Sequence, residues 1–133
     1  MISELVRPEP EPNVIKWFEN VDENTLYLSV LTLGEIGKGI SLLPESKRKA
    51  QLSNWIDNEL TSRFVGRILP VDEAIAIHWG SIAGRAQTAG KSLGVIDGLL
   101  AATAIVNDLQ LVTRNVKDFA GIDLSTVNPW KKQ

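Results

Sequence analysis

The sequence contains no cysteine and one histidine, His78, among its 133 residues. The absence of cysteine excludes disulfide bonds, thiolate zinc sites and cysteine nucleophiles. A single histidine also excludes a multi-histidine metal site within one chain. This composition leaves open the metal sites that are built from hard oxygen ligands.

Neither an excess of charge nor a long apolar run is present. Fourteen basic and 16 acidic residues give a net charge of −2, so any nucleic-acid site would have to be a local basic patch. No segment approaches the ~18 consecutive apolar residues of a membrane helix, and the N-terminus has no signal-peptide pattern. The length and the 44% apolar fraction favour one domain over residues 1–133. We expect a cytoplasmic protein without a membrane association.

Short apolar strands alternate with helical patterns along the chain. The strand patterns cover 25–31, 67–71, 109–113 and 124–127, and the helical patterns begin at Pro12 and cover 32–40, 44–64, 73–89 and 96–106. Asp72 is expected to cap the helix over 73–89. The alternation predicts an α/β sandwich with a mainly parallel sheet flanked by helices.

Acidic side chains follow the predicted strands. Glu35 follows the first strand, Asp97 opens the apolar helix over 96–106, and Asn115 and Asp118 follow the strand over 109–113. The carboxyl ends of parallel strands meet at one edge of a sheet, so we expect these groups to converge. Carboxylates without lysine or histidine partners repel one another unless a divalent cation joins them. Mg²⁺ or Mn²⁺ there can activate water against a phosphodiester.

Each of these residues also has a structural interpretation. Thr32 and Glu35 fit a capping box, in which Glu35 returns a hydrogen bond to the backbone of Thr32. Asp97 fits the positive end of a helix dipole, although a carboxylate beside so apolar a helix is costly unless it is paired. Asn115 and Asp118 are common turn residues. The sequence leaves both interpretations open at these positions.

The histidine and the tryptophans fit structural roles better than chemical ones. His78 lies between apolar residues of a helical pattern, which is typical of a hydrogen-bonded core or boundary histidine, and we assign it no function. Trp17, Trp55 and Trp79 stand at helical positions beside apolar residues and are expected to be core or dimer contacts.

The basic residues suggest where a polyanion would bind. Lys47, Arg48 and Arg114 are the candidates for RNA phosphate contacts, although a charge run on a helix is usually a solvated face. Neither a G-x-x-x-x-G-K-[ST] loop nor a G-x-G-x-x-G turn after a strand is present to hold a nucleotide. A nucleotide-binding α/β domain is therefore disfavoured.

Four segments resemble PIN-domain ribonucleases of the VapC/FitB type, and together they span nearly the whole chain: LYLSVLTLGEIGKGI, GRILPVD, VIDGLLAATAIVNDLQLVTRNVKDF and VNPW. The resemblance implies a three-layer PIN-like sandwich. It also implies a Mg²⁺- or Mn²⁺-dependent endoribonuclease, the toxin of a bacterial toxin–antitoxin pair. Such proteins are usually homodimers, and a cognate antitoxin peptide occupies their acidic groove.

The resemblance also implies roles for individual residues. The glutamate of the family's GE motif falls on Glu35, and the aspartate that precedes its LIAATA-like helix falls on Asp97. The TRN…DF element supplies Asn115 and Asp118. Glu35, Asp97 and Asp118 are thus expected to be catalytic, and these three with Asn115 are expected to bind the metal.

The N-terminus departs from the family pattern. Family members begin with a central strand that ends in an LLDTN-type motif, whose aspartate is the first metal ligand, and a helix similar to MISEL follows. Met1 stands where the residue after that motif would be. We therefore expect the strand and the aspartate to be missing, the neighbouring strands to be unpaired and metal binding to be weakened. The alternative is a catalytically impaired PIN remnant that binds antitoxin or RNA without cleavage.

Overall fold

The computed structural model describes residues 20–129, in which helices and very short strands alternate. The elements are β1 Leu28–Ser29, α1 Val30–Ser41, α2 Lys47–Asn54, α3 Thr61–Arg63, β2 Ile68–Leu69, α4 Glu73–Thr88, α5 Val95–Val106, β3 Leu111–Val112 and β4 Thr126–Val127. A π-helical segment, Trp55–Leu60, joins α2 to α3, and 3₁₀ turns lie at Glu23–Thr25 and Val116–Phe119. The predicted helix that begins at Pro12, with Trp17, lies outside the described residues. The α/β class is confirmed, with shorter strands than predicted.

The described strands form two separate parallel pairs. In the first pair, Leu28 of β1 lies opposite Ile68 of β2, and in the second, Leu111 of β3 lies opposite Thr126 of β4. The parallel arrangement predicted from the alternation of strands and helices is confirmed. A parallel pair requires a crossover connection, and α1 to α3 provide it for β1 and β2.

A cavity of about 360 Å³ lies between the two pairs. Leu28 of β1, Leu111 of β3 and Thr103 of α5 are among its lining residues. The N–H of Leu28 donates to the Arg67 carbonyl, whereas the opposite edge of β1 pairs with no other strand of residues 20–129. Within this part of the chain, the cavity separates the two strand pairs. The expected absence of a central strand stays a prediction.

Each strand pair has its own hydrophobic cluster. The first cluster contains Leu28, Ile36, Ile40, Leu60 and Phe64, with Trp55 packed against it. The second cluster contains Ile75, Ile82, Ala101, Ala102 and Phe119, with Trp79 packed against it. The prediction that Trp55 and Trp79 are core contacts is therefore confirmed. Of the helices within residues 20–129, none is long and apolar enough to span a bilayer.

Helix α1 begins earlier than the sequence predicts, at Val30 instead of Thr32. The buried hydroxyl of Ser29 caps it and accepts a hydrogen bond from the N–H of Leu31 at 3.0 Å. Because Thr32 then lies inside the helix, the capping box of Thr32 and Glu35 is wrong. The serine cap overrides the β propensity of Val30 and Leu31, which explains why β1 is shorter than 25–31.

Two further caps define the helix starts. Ser46 accepts from the N–H of Lys49 at 3.1 Å, so α2 begins at Lys47 and the predicted start at Pro44 is wrong. Asp72 accepts from the N–H of Ile75 at 2.9 Å and caps α4, as predicted. Both caps satisfy N–H groups that a helix leaves unpaired.

The cap assignment at α1 is tested by two alanine substitutions. Ser29→Ala is expected to lower the free energy of unfolding by about 1 kcal/mol, because an N–H of the first turn loses its acceptor. Thr32→Ala is expected to stay within about 0.5 kcal/mol of wild type. Urea denaturation followed by far-UV circular dichroism measures both. A larger loss for Thr32→Ala than for Ser29→Ala would contradict the assignment.

Candidate active site

Asp97 lies in the first turn of α5. Gly94 precedes the helix as its N-cap in an extended conformation and provides no side-chain cap. A Cβ atom at residue 94 would lie 3.8 Å from Oδ2 of Asp97, an ordinary contact distance, so Gly94 is a near neighbour of that oxygen. Ala101 and Ala102 of α5 are completely buried, which fixes the helix. The apolar body of α5 therefore holds a partly buried carboxylate at its start.

Asp118 lies in the 3₁₀ turn that follows β3. Its N–H donates to the Asn115 carbonyl at 3.0 Å, and the N–H of Asn115 donates to Oγ1 of Thr113 at 3.1 Å. Phe119 is buried in the second cluster and anchors the turn beside Asp118. Local hydrogen bonds and one buried ring thus present the exposed Asp118 side chain directly after the strand.

The two aspartates interact electrostatically. The pKa of Asp97 is raised above its ordinary value of 3.8, mainly because burial disfavours the charged form, and additionally because of the negative charge on Asp118. Within residues 20–129, neither carboxylate forms an ion pair or accepts a hydrogen bond. Two carboxylates without a cationic partner are a donor set that suits a hard divalent cation. The residues that the structure brings together therefore fit Mg²⁺ or Mn²⁺.

Glu35 is on a different helix from this pair. It is exposed on α1 beside the buried Ile36, and α1 follows β1 directly. No group of three or more acidic or histidine side chains able to hold a metal ion occurs in the described part of the chain. The structure thus brings together Asp97 and Asp118, and the metal-binding set that also contains Glu35 and Asn115 stays a prediction.

The basic candidates are exposed. Lys47 and Arg48 lie at the start of α2, and Arg114 lies between β3 and the turn that carries Asp118. The Arg114 carbonyl accepts a hydrogen bond from Asn128 at 3.3 Å, which ties this segment to the end of β4. Arg114 therefore shares a loop with Asp118, whereas its contact with RNA stays a prediction, as do those of Lys47 and Arg48.

Two other residues differ from what the sequence indicates. His78 is partly buried, which confirms a boundary position, but its imidazole forms no hydrogen bond with other residues of the range 20–129. Lys91 was not identified as a candidate, yet its Nζ donates to the Ala120 carbonyl at 3.0 Å. A contact between residues so far apart in the chain has no periodic pattern that could have revealed it.

Gly98 lies next to Asp97 and is covered by the indole of Trp79. A Cβ atom at residue 98 would lie 2.8 Å from Cδ1 and 2.9 Å from Nε1 of that ring. Gly98→Ala is expected to displace Trp79, to lower the free energy of unfolding by about 1–3 kcal/mol and to shift tryptophan fluorescence. Gly84→Ala is the matched control, because nothing lies within 4 Å of a Cβ there. Equal effects of the two substitutions would contradict this packing.

The raised pKa of Asp97 has a consequence for stability. A carboxyl group whose pKa is higher in the folded state favours folding when protonated, and it loses this contribution as the pH rises through the folded-state pKa. Wild type is therefore expected to lose stability relative to Asp97→Asn as the pH rises from below 3.8 through that raised value. Urea denaturation without divalent ions measures the difference, and Asp118→Asn is expected to reduce it. A wild type that gains stability relative to Asp97→Asn over this range would show the opposite shift.

Comparisons with known proteins agree with this arrangement. The PIN domain family matches residues 1–123. Toxin FitB of Neisseria gonorrhoeae is 36% identical over 130 residues, which cover 98% of this chain and 94% of the relative. VapC ribonuclease Y4jK of Sinorhizobium fredii is 34% identical over 131 residues, with the same shares of 98% and 94%.

Solved structures are similar as well. The crystal structure of FitAcB from Neisseria gonorrhoeae superposes with a TM-score of 0.92 at 36% identity, covering 98% of this chain and 94% of that one. VapBC-1 from nontypeable Haemophilus influenzae gives 0.73 at 28% identity, with shares of 90% and 86%. With its parallel strand pairs, its flanking helices and a match that spans most of its length, the chain belongs to the PIN domain family.

Proposed function

We propose that this chain is the toxin of a bacterial toxin–antitoxin pair and acts as an endoribonuclease that depends on Mg²⁺ or Mn²⁺. The observation that carries the proposal is the pair of Asp97 and Asp118, which has no cationic partner in the described residues. Burial, and in addition the like charge of Asp118, raises the pKa of Asp97. The names of the relatives support it, since one is called a toxin and another a ribonuclease. The chain acts as one domain over residues 1–133.

Each residue of the proposed site has its own role. Asp97 and Asp118 hold the divalent cation, and Glu35 and Asn115 complete its oxygen ligands. When bound, the cation lowers the pKa of a water molecule and offsets charge on a phosphodiester. The burial of Asp97 disfavours its free charged form, so binding a cation relieves a cost that is present without it.

RNA reaches this site through local positive charge, because the net charge of the whole chain is −2. Arg114 shares a loop with Asp118 and contacts a phosphate beside the scissile bond. Lys47 and Arg48 on α2 contact phosphates further along the strand. The substrate is single-stranded or looped RNA, since unstacked bases and a bent backbone enter a groove that a duplex cannot enter.

The partners follow from the family. An antitoxin protein binds over the acidic site and inhibits cleavage, and the toxin forms a homodimer in the cytoplasm. Solved relatives carry names that pair two components, FitA with FitB and VapB with VapC. Their similarity over most of this chain supports a two-component assembly here.

Substitution of the carboxylates tests the proposed activity. Glu35→Gln, Asp97→Asn and Asp118→Asn are each expected to lower Mn²⁺-dependent cleavage of a single-stranded RNA at least about 100-fold, because even loss of a partner outside the metal ligands costs 10–100-fold. Asp72→Asn is the control, since asparagine caps α4 as well as aspartate does and Asp72 has no part in the site. Undiminished cleavage by one of the purified carboxylate variants would remove that residue from the site.

A second candidate function is a PIN remnant that binds antitoxin or RNA without cleavage. It is favoured by the absence, within residues 20–129, of a group of three metal-binding side chains. The 133-residue chain would then bind its antitoxin but show no metal-dependent turnover. Measurement of binding and turnover on the same purified sample separates the two functions.

A further inference from the structure

Lys91 connects the segment between α4 and α5 with the turn that carries Asp118. It lies between α4 and α5, and its Nζ donates to the Ala120 carbonyl at 3.0 Å. Ala120 directly follows the 3₁₀ turn Val116–Phe119, which carries Asp118. The bond therefore joins the segment that leads into α5, the helix of Asp97, to the turn that carries Asp118.

The backbone of Lys91 is itself fixed. Helix α4 ends in a Schellman arrangement, in which the N–H of Lys91 donates to the Ala86 carbonyl at 2.8 Å and that of Gly90 to the Gln87 carbonyl at 3.0 Å. Gly90 takes the positive φ of 72° that this helix end requires. The lysine thus reaches toward Ala120 from a rigid helix end and not from a loose loop.

The bond from Lys91 is the hydrogen-bonded connection of the turn that carries Asp118 to the end of α4. The other hydrogen bonds of residues 116–122 within the described chain are local, from Asp118 to Asn115, from Ala120 to Lys117 and from Ile122 to Phe119. Lys91 forms the one hydrogen bond that reaches this segment from another element of residues 20–129. Apart from it, the turn is anchored by the burial of the Phe119 ring.

Gly121 leaves space for the ammonium group. Its φ is +84°, and a Cβ atom there would lie 2.6 Å from Nζ of Lys91. A side chain at residue 121 would therefore require the flexible end of Lys91, with its ammonium donor, to shift. The bond can thus be disturbed from either side, at the lysine or at the glycine.

We propose that Lys91 is a positioning residue, which holds the turn with Asp118 against the start of α5 and thereby sets the affinity of Asp97 and Asp118 for a divalent cation. This inference rests on the cation site of the proposed function. Lys91 acts through the Ala120 carbonyl and is not itself a metal ligand, because an ammonium group has no lone pair to offer.

The sign of the effect separates positioning from simple electrostatics. Removal of a positive charge near a cation site strengthens cation binding if charge alone acts. Lys91→Met is expected to weaken Mn²⁺ binding about 10-fold, the lower end of what loss of a supporting group costs. Lys91→Arg, which can donate to the same carbonyl, is expected to restore most of the affinity. Electron paramagnetic resonance of free Mn²⁺, titrated into the full chain, measures these affinities without reference to RNA cleavage.

Gly121→Ala tests the same bond while every charge is retained. We expect a loss of Mn²⁺ affinity similar to that of Lys91→Met, and no further loss in the double variant, because both changes break one bond. Gly66→Ala is the matched control: its φ of +79° imposes the same backbone strain, but nothing lies within 4 Å of its Cβ position. Gly66→Ala is expected to leave Mn²⁺ affinity unchanged.

The outcomes distinguish this inference from the proposed function. Unchanged or tighter Mn²⁺ binding by Lys91→Met and Gly121→Ala, with binding lost in Asp97→Asn, would refute the role of Lys91 and leave the cation site intact. Wild-type Mn²⁺ affinity in Asp97→Asn and Asp118→Asn would refute the cation site, and the role of Lys91 with it. Weakened binding in both Lys91→Met and Gly121→Ala, with rescue by Lys91→Arg, supports the proposal.

Discussion

The packing of α4 against α5 fixes the positions of the candidate groups in the second half of the chain. It depends on small residues: Ala101 and Ala102 are completely buried, and Gly98 lies under the ring of Trp79. Close contact of two helices at such residues leaves little freedom for rotation of either one. The core therefore determines the positions of Asp97, at the start of α5, and of Lys91, just after the end of α4.

The pair of Asp97 and Asp118 is electrostatically unfavourable within this well-packed part of the molecule. Burial and like charge both disfavour ionised Asp97, so this part of the molecule is less stable than its apolar surroundings would allow. Groups that conflict with local stability are characteristic of functional sites, where a ligand offsets the cost. The same two effects that raise the pKa of Asp97 make a divalent cation a favourable partner for it.

Sequence reasoning succeeded where the signal is local. The cap at Asp72, the apolar helix α5 and the parallel pairing of the strands all follow from short patterns, and so does the position of the acidic residues after strands. It failed at α1, because Ser29 and Thr32 are both good caps and a local pattern does not choose between them, whereas the structure uses Ser29. The bond from Lys91 to Ala120 could not be predicted from the sequence, since it depends on tertiary packing alone.

The two strand pairs of the described chain belong to two units with separate hydrophobic clusters. Glu35 belongs to the unit of the first cluster, whereas Asp97 and Asp118 belong to that of the second. A site that draws ligands from both units is assembled only when the units hold a fixed mutual orientation. A cation bound by all three acids would therefore favour the association of the two units, so that metal affinity and cooperative folding would be thermodynamically linked.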